Sequence, residues 1–119
     1  MSKFTETLVT LKELRDPGET CSQYVFGKDS YYVNEAFDHV SKSPEYVQIA
    51  DGEEKLEHDI VFYMSMKWIP THVAQLDGTG QYVSKFFKDP LVYKHGLWES
   101  PIPETDNFQY GLFFRKITS

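Results

Sequence analysis

Thr71-His72-Val73-Ala74-Gln75-Leu76-Asp77-Gly78-Thr79-Gly80-Gln81-Tyr82-Val83-Ser84-Lys85-Phe86-Phe87 reads as two extended segments around a tight turn. The arms, Thr71 to Leu76 and Gln81 to Phe87, carry β-branched and aromatic side chains. Asp77-Gly78-Thr79-Gly80 supplies the Gly-rich reversal that joins antiparallel strands. A sheet built around this hairpin needs further strands, and the second half of the chain offers them. Tyr46-Val47-Gln48-Ile49-Ala50 alternates like a half-buried strand before the turn Asp51-Gly52-Glu53-Glu54. Ile60-Val61-Phe62-Tyr63-Met64 is an unbroken apolar run suited to a central strand. Tyr110-Gly111-Leu112-Phe113-Phe114-Arg115-Lys116-Ile117 closes the set. The span from Pro90 to Asn107, with three prolines, reads as an ordered loop.

The first half carries helix signals instead. Apolar spacing at Phe4, Leu8, Leu11 and Leu14 predicts an amphipathic helix over the first fifteen residues, ended by Asp16-Pro17-Gly18, with a strand through Thr7 to Leu11 as the alternative. A short helix begins at Cys21 and is punctuated by Gly27. A second follows from an Asn34 cap through Glu35 to Val40 and stops at Ser43-Pro44. Helices first and antiparallel strands after make an α+β fold, with N-terminal helices packed on an antiparallel sheet.

Composition bounds the function. The chain of 119 residues fits one domain, 1–119, with a substantial core, 40% of residues being hydrophobic and 16% aromatic. Eighteen acidic residues against twelve basic ones give a net charge of −6, which repels phosphate backbones. The densest cationic cluster, Lys85 and Lys88 near Lys94, is interrupted by Phe86, Phe87 and Asp89, so no nucleic-acid partner is expected. No segment approaches the roughly 18 apolar residues of a membrane span, and the N-terminus has no signal-peptide run, so a cytoplasmic location away from membranes is expected. With one cysteine no intramolecular disulfide forms.

That cysteine, Cys21, stands at the first turn of its helix, where free N–H groups and the dipole favour a thiolate. His72 follows on a strand, the order of parts in a papain-like thiol site. The residue types also admit a plainer reading, since an unpaired Cys is commonly a small buried hydrophobe. His39 and His58 read as surface residues. His58, Asp59, His72 and Cys21 lack the short spacing of a zinc site, and Gly78-Thr79-Gly80 lacks the Lys-Ser/Thr and helix of a phosphate loop, so neither a metal nor a cofactor is expected. Trp68 and Trp98, with Tyr31, Tyr32 and Tyr93, are divided between groove and core.

Three pieces together resemble NlpC-type papain-like cysteine peptidases. Cys21-Ser22-Gln23-Tyr24-Val25 is similar to that family's Cys-Ser-Gly-Phe-Val helix start, His58-Asp59-Ile60-Val61-Phe62-Tyr63 to its Gly-Asp-Leu-Val-Phe-Phe strand, and the His72 hairpin to its His-Val-Gly-Ile-Tyr hairpin. The chain resembles more closely a group of little-characterised bacterial papain-like proteins, through His72-Val73-Ala74, Tyr82-Val83-Ser84-Lys85, His95 and Tyr110-Gly111. The resemblance implies a Cys21 nucleophile, His72 as its base, and Ser84 or His95 fixing the imidazole. Ser84 stands where NlpC-type enzymes usually carry a His, Asn or Gln, a departure that leaves one hydroxyl for the task. Thr20, Gln23 and Gln75 are candidate oxyanion donors beside the Cys21 N–H.

Such a site would make the protein a small hydrolase or acyltransferase acting on an amide or isopeptide bond of a peptide or protein substrate. The alternative is a catalytically degenerate papain-like binding protein, such as a phage or mobile-element product that inhibits a host factor, with Phe86, Phe87, Leu97, Trp98 and Ile102 as its partner patch. A third class is a structural or assembly protein in which Cys21 is incidental.

Overall fold

A computed structural model describes residues 9–15, 18–85, 91–98 and 109–117. Its elements, in chain order, are β1 (Val9–Leu14), α1 (Cys21–Phe26), α2 (Val33–Lys42), β2 (Tyr46–Ile49), β3 (Ile60–Met64), β4 (Pro70–Leu76), β5 (Tyr82–Lys85), β6 (Leu91–His95) and β7 (Tyr110–Lys116). The seven strands form one antiparallel sheet in the order β1-β6-β5-β4-β3-β7-β2. This is the expected α+β class, with two helices against an antiparallel sheet.

The apolar run Ile60–Met64 lies inside the sheet, paired on both sides by β4 and β7, and all five of its side chains are buried. Strand alternation divides them. Ile60, Phe62 and Met64 join Val73, Phe114 and the helix residues Cys21, Ala36 and Val40 in one core. Val61 and Tyr63 join Ala74, Leu76, Tyr82 and Phe113 in a second core on the opposite face, against which Leu97 and Trp98 pack. On the helix side Phe62 meets Phe37 edge-on with ring centroids 5.2 Å apart and Phe114 at 5.9 Å, contacts that add to simple area burial.

Local chemistry explains the helix starts. Thr20 accepts a hydrogen bond from the Gln23 N–H, and the Gln23 side chain accepts one from the Thr20 N–H, a reciprocal capping box that fixes Cys21 as the first residue of α1. Gly27, at φ +110°, ends the helix in a conformation that a side chain would resist. The second helix begins at Val33 with Tyr32 as N-cap and no side-chain cap bond, so Asn34 lies inside it instead of capping it.

Two expectations are corrected. Residues 9–14 of the proposed first helix form strand β1, in agreement with the alternative reading, and residues 1–8 lie outside the described residues. The register explains the misleading pattern. Leu11 faces Tyr93 and Glu13 faces Val92, so Lys12 is an extra residue in the strand, and the bulge converts a two-residue alternation into the 11-to-14 step that mimics a helix. Within the proposed Pro90–Asn107 loop, Leu91–His95 is a full strand between β1 and β5, and 99–108 lie outside the described residues. The arm proposed through Phe87 is observed as β5 to Lys85. Phe86 and Phe87 lie outside the described residues.

Candidate functional site

The capping box delivers Cys21 to the helix-covered face, where its residue is 7% exposed. Its sulfur meets the backbone N–H groups of Val73, Ser22 and Cys21 itself, and Lys85 lies close enough to favour the thiolate. Burial outweighs these effects and pushes the Cys21 thiol up to about 11. Lys85, fully buried, donates to the Glu19 carbonyl immediately before α1. The registered partners of β4 and β5 are Gln75–Val83 and Leu76–Tyr82, beside the turn, and the sulfur reaches the Val73 backbone beyond them.

His72 belongs to the other face. It sits opposite Tyr63 in the β3–β4 ladder, with ring centroids 5.6 Å apart, while Val73 beside it pairs with Phe62 on the helix side. Burial, with a smaller contribution from the neighbouring His95, holds the His72 imidazole down to about 3, so it is neutral at physiological pH. On the same face the Ser84 hydroxyl and His95 Nε2 lie 2.7 Å apart, and His95 Nδ1 is 2.7 Å from the Gly96 carbonyl. A carbonyl only accepts, so Nδ1 carries a proton, and in the neutral ring Nε2 then accepts from the Ser84 hydroxyl. Ser84 and His95 are both fully buried.

The structure therefore brings His72, Ser84 and His95 together and leaves Cys21 behind the sheet from them. A thiolate–imidazolium pair needs direct contact and a thiol more acidic than the imidazole. Here the two groups point to opposite faces and burial drives their proton affinities in the reverse sense. The candidate oxyanion donors have other duties. Thr20 and Gln23 are held in the capping box, Gln23 Nε2 also donates to the Lys28 carbonyl at 2.8 Å, and Gln75 Nε2 reaches toward the His58 carbonyl at 3.4 Å. Trp98 leans edge-on against Tyr63 at 5.5 Å and packs on the second core, and Leu97 receives the Tyr63 hydroxyl at its carbonyl, so neither is a free anchor. Ile102 lies outside the described residues. His39 and His58 are exposed, as expected of surface residues.

Two features escaped the sequence reading. The β3–β4 turn exposes Met66, Trp68 and Ile69, each more than half exposed. Trp68 has φ +61° and stacks flat on Tyr110 with centroids 4.4 Å apart and planes 2° from parallel. The signal was present, since Met66-Lys67-Trp68-Ile69 sits in the connection between two strands whose side chains are already committed to the cores. The second feature is a clamp. Asp59, 2% exposed, accepts two hydrogen bonds from Arg115, at 2.9 and 2.8 Å, and one from the Leu56 N–H. Among the described residues, no three His, Cys, Asp or Glu side chains are grouped to hold a metal, and no helix is long and apolar enough to cross a membrane. No protein-family model, curated protein or solved structure matches the chain.

Proposed function

We propose that the protein is a papain-like domain of the NlpC type without an operating thiol site, and that it acts by binding a protein partner. The observation that carries this reading is the sheet standing between Cys21 and His72. A hydrolase of this kind needs both groups in one cleft, and here each is buried in a different core. The Ser84–His95 pair does not replace them, because both residues are sealed from solvent.

Binding has a surface to use. Trp68 is a large rigid ring held by Tyr110, flanked by Met66 and Ile69, and its backbone occupies the left-handed region that a non-glycine residue enters at a cost. Exposed aromatic anchors of this kind dominate interface energies. Affinity capture followed by quantitative binding with the wild type, Cys21→Ala and Trp68→Ala tests the reading. Retention of the partner by Cys21→Ala and a loss of about 2 kcal/mol or more with Trp68→Ala support it. A covalent acyl adduct on Cys21, or a substrate held only by Cys21→Ala, would overturn it.

A further inference from the structure

A run of cavities crosses the helix-covered side of the sheet, away from Cys21. One, of about 510 Å³, lies between the end of α1 and the sheet, with Val25, Phe26 and Ile60 among its apolar lining. It shares Phe26, Tyr46 and Lys116 with a second cavity of about 430 Å³, and Glu57, His58 and Gln75 with a third of about 180 Å³. Shared lining residues place the three in a row, a groove of adjoining pockets. None of them is lined by Cys21, His72, Ser84 or His95.

The charge of the groove is lopsided. Asp29, Glu35 and Glu45 line its second cavity, and none of them is ion-paired with a Lys or Arg among the described residues. Glu57, at the junction with the third cavity, has His58 as its nearest partner at 3.9 Å. Asp59 and Arg115 neutralise each other, as do Asp77 and Lys94. Among the described lining residues, Lys116 is the Lys or Arg left to face these four carboxylates, Asp29, Glu35, Glu45 and Glu57. At the same junction His58 holds φ +78°, with its side chain 76% exposed, a strained backbone at the rim of the groove.

We propose that this groove binds an extended basic segment of a partner protein. Cavities in series suit a peptide whose alternate side chains drop inward, in contrast to a compact ligand, which needs one enclosed pocket. Lys or Arg side chains would meet Glu35, Glu45 and Glu57, and an apolar residue between them would rest on Val25 and Phe26. The inference rests on the reading that the protein works by binding, and it concerns a surface separate from the Trp68 tip.

Fluorescence anisotropy with a short labelled Lys-Ser-Phe-Ser-Lys peptide, whose Lys and Phe share one face of an extended chain, provides the test at about 0.15 M salt, with the Glu-Ser-Phe-Ser-Glu peptide as its opposite. The Lys peptide should bind and the Glu peptide should not. The double variant Glu35→Lys/Glu45→Lys should weaken the complex about tenfold or more, whereas Asp51→Lys/Glu54→Lys, the same charge change outside the groove, should leave it within about twofold. Amide shifts on titration should centre on Val25, Phe26, Ile60 and Gln75, a readout that needs no variant to fold. Failure of the Lys peptide to bind, equal losses in both double variants, or shifts elsewhere would overturn the proposal. Trp68→Ala should leave this peptide's affinity unchanged, so failure of the groove and failure of the Trp68 surface are distinguishable.

Discussion

Acidification should unfold this protein through His72 before its carboxylates are reached. Burial holds the His72 imidazole at about 3, against the ordinary 6.5 of an unfolded chain. Between those values the unfolded state binds a proton that the native state refuses, and stability falls by about 1.4 kcal/mol for each pH unit descended. The sign follows from the depressed value. The contribution is complete above 6.5 and is lost as the pH falls toward 3. From about pH 7.5 to pH 5 the loss from His72 alone is about 2 kcal/mol, and near pH 3 it reaches about 5 kcal/mol, comparable with the whole stability of many small domains. Asp59 and Asp77 are held below the ordinary carboxylate range, Asp77 at about 2, and remain ionised at pH 5. Urea unfolding followed by tryptophan fluorescence at the two pH values measures the difference. His72→Phe keeps a ring against Tyr63 and removes the titration, so its difference should be about 2 kcal/mol smaller than that of the wild type. An unchanged difference would refute the assignment of His72 to the buried second core.

Three further outcomes are expected. Arg115→Met leaves the Asp59 carboxylate with the Leu56 N–H as its remaining hydrogen-bond donor and should lower the urea midpoint, with most of the loss recovered in the Asp59→Asn/Arg115→Met double variant. Asp77→Ala removes the acceptor for the Thr79 N–H, the Thr79 hydroxyl and the Gln81 N–H, and should cost about 1 to 2 kcal/mol by the same measurement. His58→Gly relieves a left-handed backbone and should change stability by no more than about 1 kcal/mol, in the stabilising direction, as a small rise in melting temperature.

The sheet was legible where its chemistry is local. Asp77-Gly78-Thr79-Gly80 marks a turn by composition, and the run Ile60–Met64 marks a strand buried on both faces. The start of α1 at Cys21 was legible too, whereas the Thr20–Gln23 capping box that fixes it emerged only in the structure. The N-terminal strand was misread because the Lys12 bulge breaks the alternation on which recognition depends. β6 was hidden among prolines, although Leu91-Val92-Tyr93-Lys94-His95 has strand composition. The proposed site failed for a subtler reason. Motif order reports which elements are neighbours, but the face of a strand depends on a register of one residue, and that register sends Val73 toward Cys21 and His72 away from it. The Asp59–Arg115 clamp joins positions 56 residues apart and has no local signal at all.

The pH profile of Cys21 alkylation by iodoacetamide tests the separation of thiol and imidazole most directly. A thiol held at about 11 by burial should react more slowly than free cysteine at neutral pH, its rate should rise only in strong alkali, and His72→Ala should leave the profile where it was. Rapid alkylation near pH 7 that His72→Ala abolishes would show the two groups in contact and return the protein to the class of thiol enzymes.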